Sequence, residues 1–193
     1  MAIDARVAQT RESLRQAIFR MAARMPMSEL NVAELTREAG ISRVTFYDHY
    51  KSPAQLLTES LTIELDEIRR LDVEARRESS ASAETITKDS TLRIAQHVLG
   101  HRDLYEKSLS HRSSTTTLHH VLVAHISTSL EERFARTPPA EMPAGLSIST
   151  AASYTAHGIV GAIEVWLAGD DGDRASAEAL SDSIGHMLPS WWR

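Results

Sequence analysis

Cysteine is absent from this 193-residue chain. Its absence excludes disulfides and thiolate metal sites, and leaves the fold compatible with a reducing cytoplasm. Long apolar runs are missing too. The longest candidate, residues 158–167, is interrupted by Glu164, well short of the roughly 20 residues that span a bilayer. The opening stretch, MAIDARVAQTR, has no apolar segment of the kind that a secretory signal carries. A cytoplasmic protein without membrane association is therefore expected. Enzyme signatures are equally scarce. The eight glycines are scattered and compose no nucleophile elbow, phosphate loop or dinucleotide fingerprint, and no His-Glu-x-x-His pair occurs. These gaps argue against an enzyme, and no cofactor is implied.

Charge is present in an uneven distribution. The chain as a whole carries −5, an unpromising value for contact with phosphates. Residues 1–51, however, hold eight Lys and Arg against six Asp and Glu, and the remainder is strongly acidic. A basic end on an acidic body suits local contact with a polyanion while the body is repelled from it.

Apolar residues recur at helical spacing along the chain, and no segment alternates with a period of two, so an all-α fold is expected. Ile3, Val7, Leu14, Ile18, Met21 and Met25 mark a first amphipathic helix that Pro26 ends. Asn31 is placed to cap a short second helix running to Ala39, and Gly40 suits the left-handed conformation that stops it. Ser42 caps a third, from Arg43 to about His49, and Pro53 opens a fourth that reaches Arg77. Further helices are expected near 85–99, 101–109, 115–136, 148–168 and 174–191. Breaks at Gly100, Ser113-Ser114, the Pro-rich 137–145 and the Gly/Asp-rich 169–173 separate them. The resulting organisation is a helix-turn-helix domain over 1–51, and a helical regulatory and dimerisation domain over 52–193. Helix 53–77 connects the two.

The decisive stretch is Asn31 to Ser52, NVAELTREAGISRVTFYDHYKS. Two short helices joined through Ala39-Gly40-Ile41 form the tight, glycine-containing turn of a helix-turn-helix. Ser42, Arg43, Thr45, Tyr47, His49 and Lys51 line the second element with hydrogen-bond donors, while Val44 or Phe46 can pack inward. Arginine can bind guanine through two hydrogen bonds, and hydroxyls and cations reach phosphates.

Ala39-Gly40-Ile41-Ser42 followed by Arg43-Val44-Thr45-Phe46-Tyr47-Asp48-His49-Tyr50 resembles the reading head of the TetR family of transcriptional regulators. The resemblance covers about residues 10–60. It implies an N-terminal three-helix DNA-binding domain, a helical C-terminal domain with a small-molecule pocket, and a dimer formed by the last two helices. Position by position, it implies that Arg43 reads base edges and Val44 faces the groove. Thr45, Tyr47 and His49 would grip phosphates, Ser42 would combine capping with a backbone contact, and Phe46 and Tyr50 would pack inside. Three positions depart from the family's pattern. Pro53 stands where Lys is frequent, with Lys51 two residues earlier as a substitute. Ala33 stands where a polar residue often approaches DNA. Thr36 stands where Ala is usual, and either contacts phosphate or bonds back to its own helix.

The implied function is that of a repressor released from a near-palindromic double-stranded operator by an unidentified small molecule. In the last helix, Ala177, Leu180, Ile184, Met187, Leu188 and Trp191 form one stripe. In the preceding helix, Ala151, Ala152, Gly158, Gly161 and Ala162 are small enough for close helix approach. Both stripes either pair two chains or bury against their own domain. Candidate ligand contacts, chosen by residue type, are His97, Arg102, Tyr105, Phe134, Tyr154, His157 and Trp166. Control by a protein partner without a pocket is the alternative. Histidine is abundant, with His97 and His101 four apart and His119, His120 and His125 close in sequence, so a metal-binding sensor or enzyme is a further alternative. Without cysteine and with Gly100 interrupting the first pair, no metal site is assigned.

Overall fold

A computed structural model describes residues 2–78, 83–110, 115–136, 138, 141–169, 174–189 and 191. Among them there is no strand. The helices are α1 (Ala2–Ala22), α2 (Val32–Ala39), α3 (Arg43–His49), α4 (Pro53–Glu78), α5 (Ala83–Gly100), α6 (Arg102–Ser110), α7 (Thr115–Arg136), α8 (Ile148–Leu167) and α9 (Arg174–Met187). Helix α1 stops four residues before Pro26, the chain leaving it through a turn in which the Ala23 and Met25 amides bond back to Phe19 and Met21. Helix α9 stops at Met187, two residues short of Pro189, whereas the apolar stripe suggested continuation to 191.

Two compact units divide the chain. The first comprises residues 1–63 and 101–118, the second residues 64–100 and 119–193. The first unit's core is aliphatic with a few rings: Leu14, Ile18, Leu35, Phe46, Leu56, Leu57, Leu61 and Tyr105 are fully buried. The α1 stripe read from sequence supplies its share through Leu14, Ile18 and Met21, and Ala17, outside that reading, is buried with them. At the rim, Arg20 on α1 donates to Glu38 on α2 at 2.8 Å, and that bond holds the Glu38 carboxyl below its usual range. Phe19 stacks on His101 with ring centroids 4.6 Å apart, and the Lys107 ammonium donates to the Ala23 carbonyl.

The second unit buries Leu65, Val98, Leu122, Ala152, Ala156, Val160, Ile163, Ala177 and Ile184. Helix α9 lies along α5. The Ser181 hydroxyl donates to the Lys88 carbonyl at 2.8 Å, and the Lys88 ammonium meets Asp182 at 2.5 Å. This packing settles the direction of the α9 stripe. Ala177, Leu180 and Ile184 face inward, as do Ala151 and Ala152 of α8. These five residues bury against their own unit, the second of the two readings that the stripes left open. The large apolar side chains left exposed on these helices, among the described residues, are Tyr154, Val165 and Met187. No helix among the described residues is long and apolar enough to cross a membrane.

Candidate nucleic-acid interface

Helix α2 is set by its ends. The Asn31 side chain accepts from the Glu34 amide at 2.9 Å, and Gly40 takes φ 69°, ψ 30°. A left-handed residue there lets the Gly40 and Ile41 amides bond back to Arg37 and Thr36, closing the helix in one step. Any other side chain would pay for that backbone conformation. Ser42 then starts α3 at once, its hydroxyl accepting from the Thr45 amide at 3.0 Å and lying 2.9 Å from the Thr45 hydroxyl. Seven residues are too few for a helix to persist alone, so α3 depends on its buried side. Phe46 is fully buried, with its ring 6.0 Å from that of Tyr50, which is itself buried. Burial pushes the Tyr50 phenol above its ordinary pKa.

With Phe46 and Tyr50 turned inward, α3 presents Arg43, Val44, Tyr47 and Asp48 to solvent. Val44 is 72% and Tyr47 61% exposed, a high value for such side chains in a folded chain. Thr45 and His49 are half-buried on the flanks, and Lys51 is exposed just beyond the helix. Thr36 does not belong to this face. It is only 4% exposed, and its hydroxyl donates to the Val32 carbonyl at 2.8 Å, so of the two readings the back-bonded one holds. Tyr47 and Lys51 remain with Arg43 and Val44 on the accessible side.

Gln55 is a positioning residue that sequence reasoning passed over. Its side-chain oxygen accepts from the Lys51 amide at 2.8 Å, while its own amide donates to the Ser52 hydroxyl at 3.2 Å. The pair fixes the backbone of the turn between α3 and α4. The signal was available in Ser52-Pro53-Ala54-Gln55, the spacing of a capping box.

The candidate ligand contacts fare differently. In the first unit, Tyr105 is fully buried core and Arg102 pairs with Glu106 one turn along α6. In the second unit the remaining five do not converge. His97 is buried beside Glu64, with Nδ1 3.4 Å from the carboxylate. Trp166 donates its indole N–H to Ser176. Phe134 is buried with Ala151 beneath Leu146, Ile148, Leu188 and Trp191. Tyr154 and His157 alone share an opening, a groove of about 730 Å³ between α8 and the end of α9. Thr150, Gly158, Ile159, Met187 and Trp191 complete most of its largely apolar lining.

No family model matches the chain. Over 56 residues it is 39% identical to the uncharacterized HTH-type transcriptional regulator YxbF of Bacillus subtilis, a stretch that makes up 28% of this chain and 15% of that protein. The match thus spans less than a sixth of the curated relative's length. Among solved structures, FadR of Bacillus subtilis in complex with stearoyl-CoA superposes with a TM-score of 0.66 at 17% identity, covering 93% of this chain and 97% of that one. Thermus thermophilus FadR, a TetR-family transcriptional repressor in complex with lauroyl-CoA, gives 0.63 at 14% identity, covering 93% and 96%. The likeness is one of fold. The chain has the all-helical fold of TetR-family regulators, as the Ala39–Tyr50 motif implied.

Proposed function

We propose that this chain is a sequence-specific DNA-binding transcriptional regulator, a repressor that a small molecule releases from its operator. The observation that carries the reading is α3 itself. A seven-residue helix follows the left-handed glycine that ends α2, is capped by Ser42, anchored by Phe46 and stopped at an extended Tyr50, so that Arg43, Val44 and Tyr47 project into solvent. Nothing in the core requires an exposed valine and tyrosine there. A DNA groove uses both, the valine against a thymine methyl and the hydroxyl on a phosphate.

Selection of bound DNA from a random pool tests the reading directly, and a near-palindromic site is the expected product. Against that site, Arg43→Ala is expected to cost about 1–3 kcal/mol and to relax preference at one or two base pairs. Tyr47→Phe is expected to weaken all sequences evenly, since a phosphate contact carries no base information. If Arg43→Ala left affinity and preference intact in electrophoretic mobility shifts, α3 would not be the reading element.

Paired half-sites call for a two-fold dimer. We place its seam on the outward faces of α8 and α9, where Tyr154 is 82%, Val165 77% and Met187 65% exposed. Gly158 and Gly161 lie on α8 between the first two, and among the described residues nothing beyond the neighbouring turn of α8 itself comes within 4 Å of where a Cβ would stand at either. A mid-helix glycine costs roughly 1 kcal/mol relative to alanine, and packing within one chain gives no reason for it here. Close approach by a second copy of α8 supplies the reason. Val165→Asp sets an uncompensated charge in that seam. It is expected to convert a sedimenting dimer to monomer and to abolish tight operator binding. A Val165→Asp protein that sediments as the parent does would remove α8 from the interface.

Release by a ligand requires only that the ligand prefer the conformation whose reading heads are wrongly spaced. The second unit is the proposed seat. Fatty acyl-CoA thioesters, named with two of the solved neighbours, are the first compounds to test for release of the selected DNA. A coupling of about 1–3 kcal/mol would lower operator affinity roughly 5–150-fold.

A further inference from the structure

The second unit carries a histidine cluster, at the border of the proposed α8 seam, that DNA reading does not use. His119 on α7 lies against α8, its Nδ1 2.7 Å from a Glu164 carboxylate oxygen. A carboxylate accepts, so Nδ1 carries the proton and the lone pair sits on Nε2. The same helix carries His157, two turns before Glu164, beside that ring. The His119 and His157 ring centroids are 5.9 Å apart. His157 is held in the same tautomer by a separate contact, its Nδ1 donating to the Ser153 carbonyl at 2.8 Å. Each imidazole thus has its Nδ1 engaged in a hydrogen bond, which leaves Nε2 as the ring nitrogen available to a ligand. The ring of His120 lies a further 6.0 Å from that of His119.

We propose that His119 and His157 bind a divalent transition-metal ion of the zinc, nickel or cobalt class through their Nε2 atoms, with Glu164 orienting His119 from behind. Three features carry it. Imidazole suits these ions, and with metal–nitrogen bonds of about 2.0–2.1 Å two rings on one ion have centroids roughly 5–6 Å apart. A carboxylate on the far nitrogen of a ligating histidine is the usual outer partner of such sites, fixing the ring and raising its basicity. The site is also accessible. His157 is exposed, and the side chains of His119 and Glu164 are 26% and 32% exposed, so an ion can enter without unfolding the helices. Coordination positions not taken by the two imidazoles stay open to water or to a small anionic molecule. The inference stands independently of DNA binding, and its test involves no DNA.

Titration of the full-length, metal-stripped protein with Zn²⁺ in a calorimeter is the test, with Co²⁺ as a coloured probe. The expected result is one saturable ion per chain at micromolar concentration, and a Co²⁺ absorption band displaced by Zn²⁺. Both H119Q and H157Q are expected to lower affinity at least tenfold, and E164Q to lower it about 10–100-fold. H186Q is the control, because His186 makes the same Nδ1 bond to a carbonyl on α9 and lies outside the cluster. Far-ultraviolet circular dichroism checks that each variant is folded, and the exposed His157 gives a variant least liable to unfold. Absence of saturable binding by the parent would overturn the proposal. So would parent-like Zn²⁺ affinity in folded H157Q and H119Q.

Discussion

Phe46→Ala is expected to lower the stability of the first unit by about 3–5 kcal/mol, the range for deleting a fully buried ring. The effect should be felt beyond stability. Phe46 is the only fully buried side chain of α3, and the helix is seven residues long. A helix so short has no standing of its own in water. Removing its anchor frees Arg43, Val44 and Tyr47 from a common face even where the remaining helices hold. Urea denaturation should show a lowered midpoint, and DNA affinity should fall further than with Arg43→Ala. Phe46→Leu keeps most of the buried volume and is expected to cost under about 1.5 kcal/mol once repacked. Equal midpoints for Phe46→Ala and the parent would mean that α3 is held by something other than this ring.

The features that fix the ends of α2 and the start of α3 were legible in the sequence because they are local. An asparagine that accepts from the amide three residues on, a glycine free to adopt φ 69° and a serine cap depend only on neighbours within one turn. Helical periodicity is local too, and the helix boundaries in the second unit fell within a few residues of expectation, apart from the end of α9. What a stripe packs against is not local. Ala177, Leu180 and Ile184 form an apolar face whether α5 or a second copy covers it, and the structure puts them inside their own unit. Tyr105 and Tyr154 have the same residue type at similar helical settings, yet one is fully buried and the other 82% exposed. A ligand list drawn from residue types could not separate them. The His119–Glu164 contact joins positions 45 apart, and no spacing rule within one helix reaches that far.

Acidification from about pH 6.5 to pH 4 is expected to remove about 3 kcal/mol of stability through one residue, His125. Only 9% of His125 is exposed on α7, and its imidazole has a pKa lowered from the ordinary 6.5 to about 4. Burial is the main cause, because the charged form loses its water. The groups that face it act in both directions. Arg69 on α4 and His97 on α5 disfavour its charge, while Asp66, 4.0 Å from its Nδ1, favours it only partly. Asp66 is already engaged by Arg69 at 2.6 Å, and Arg69 also reaches Glu132 on α7 at 3.5 Å. The sign follows from which state takes the proton first. The unfolded chain binds it near pH 6.5 and the folded chain only near pH 4, so between those values protons favour unfolding. The contribution of a neutral His125 is therefore complete above about pH 6.5, declines as pH falls, and is lost below about pH 4. His125→Gln keeps a polar side chain of similar size without a titration in this window. Thermal midpoints measured from pH 7.5 to pH 4 should fall more steeply for the parent than for His125→Gln. Parallel slopes for the two proteins would show that His125 takes up its proton equally well folded and unfolded, and that the acid sensitivity of this helical unit has another source.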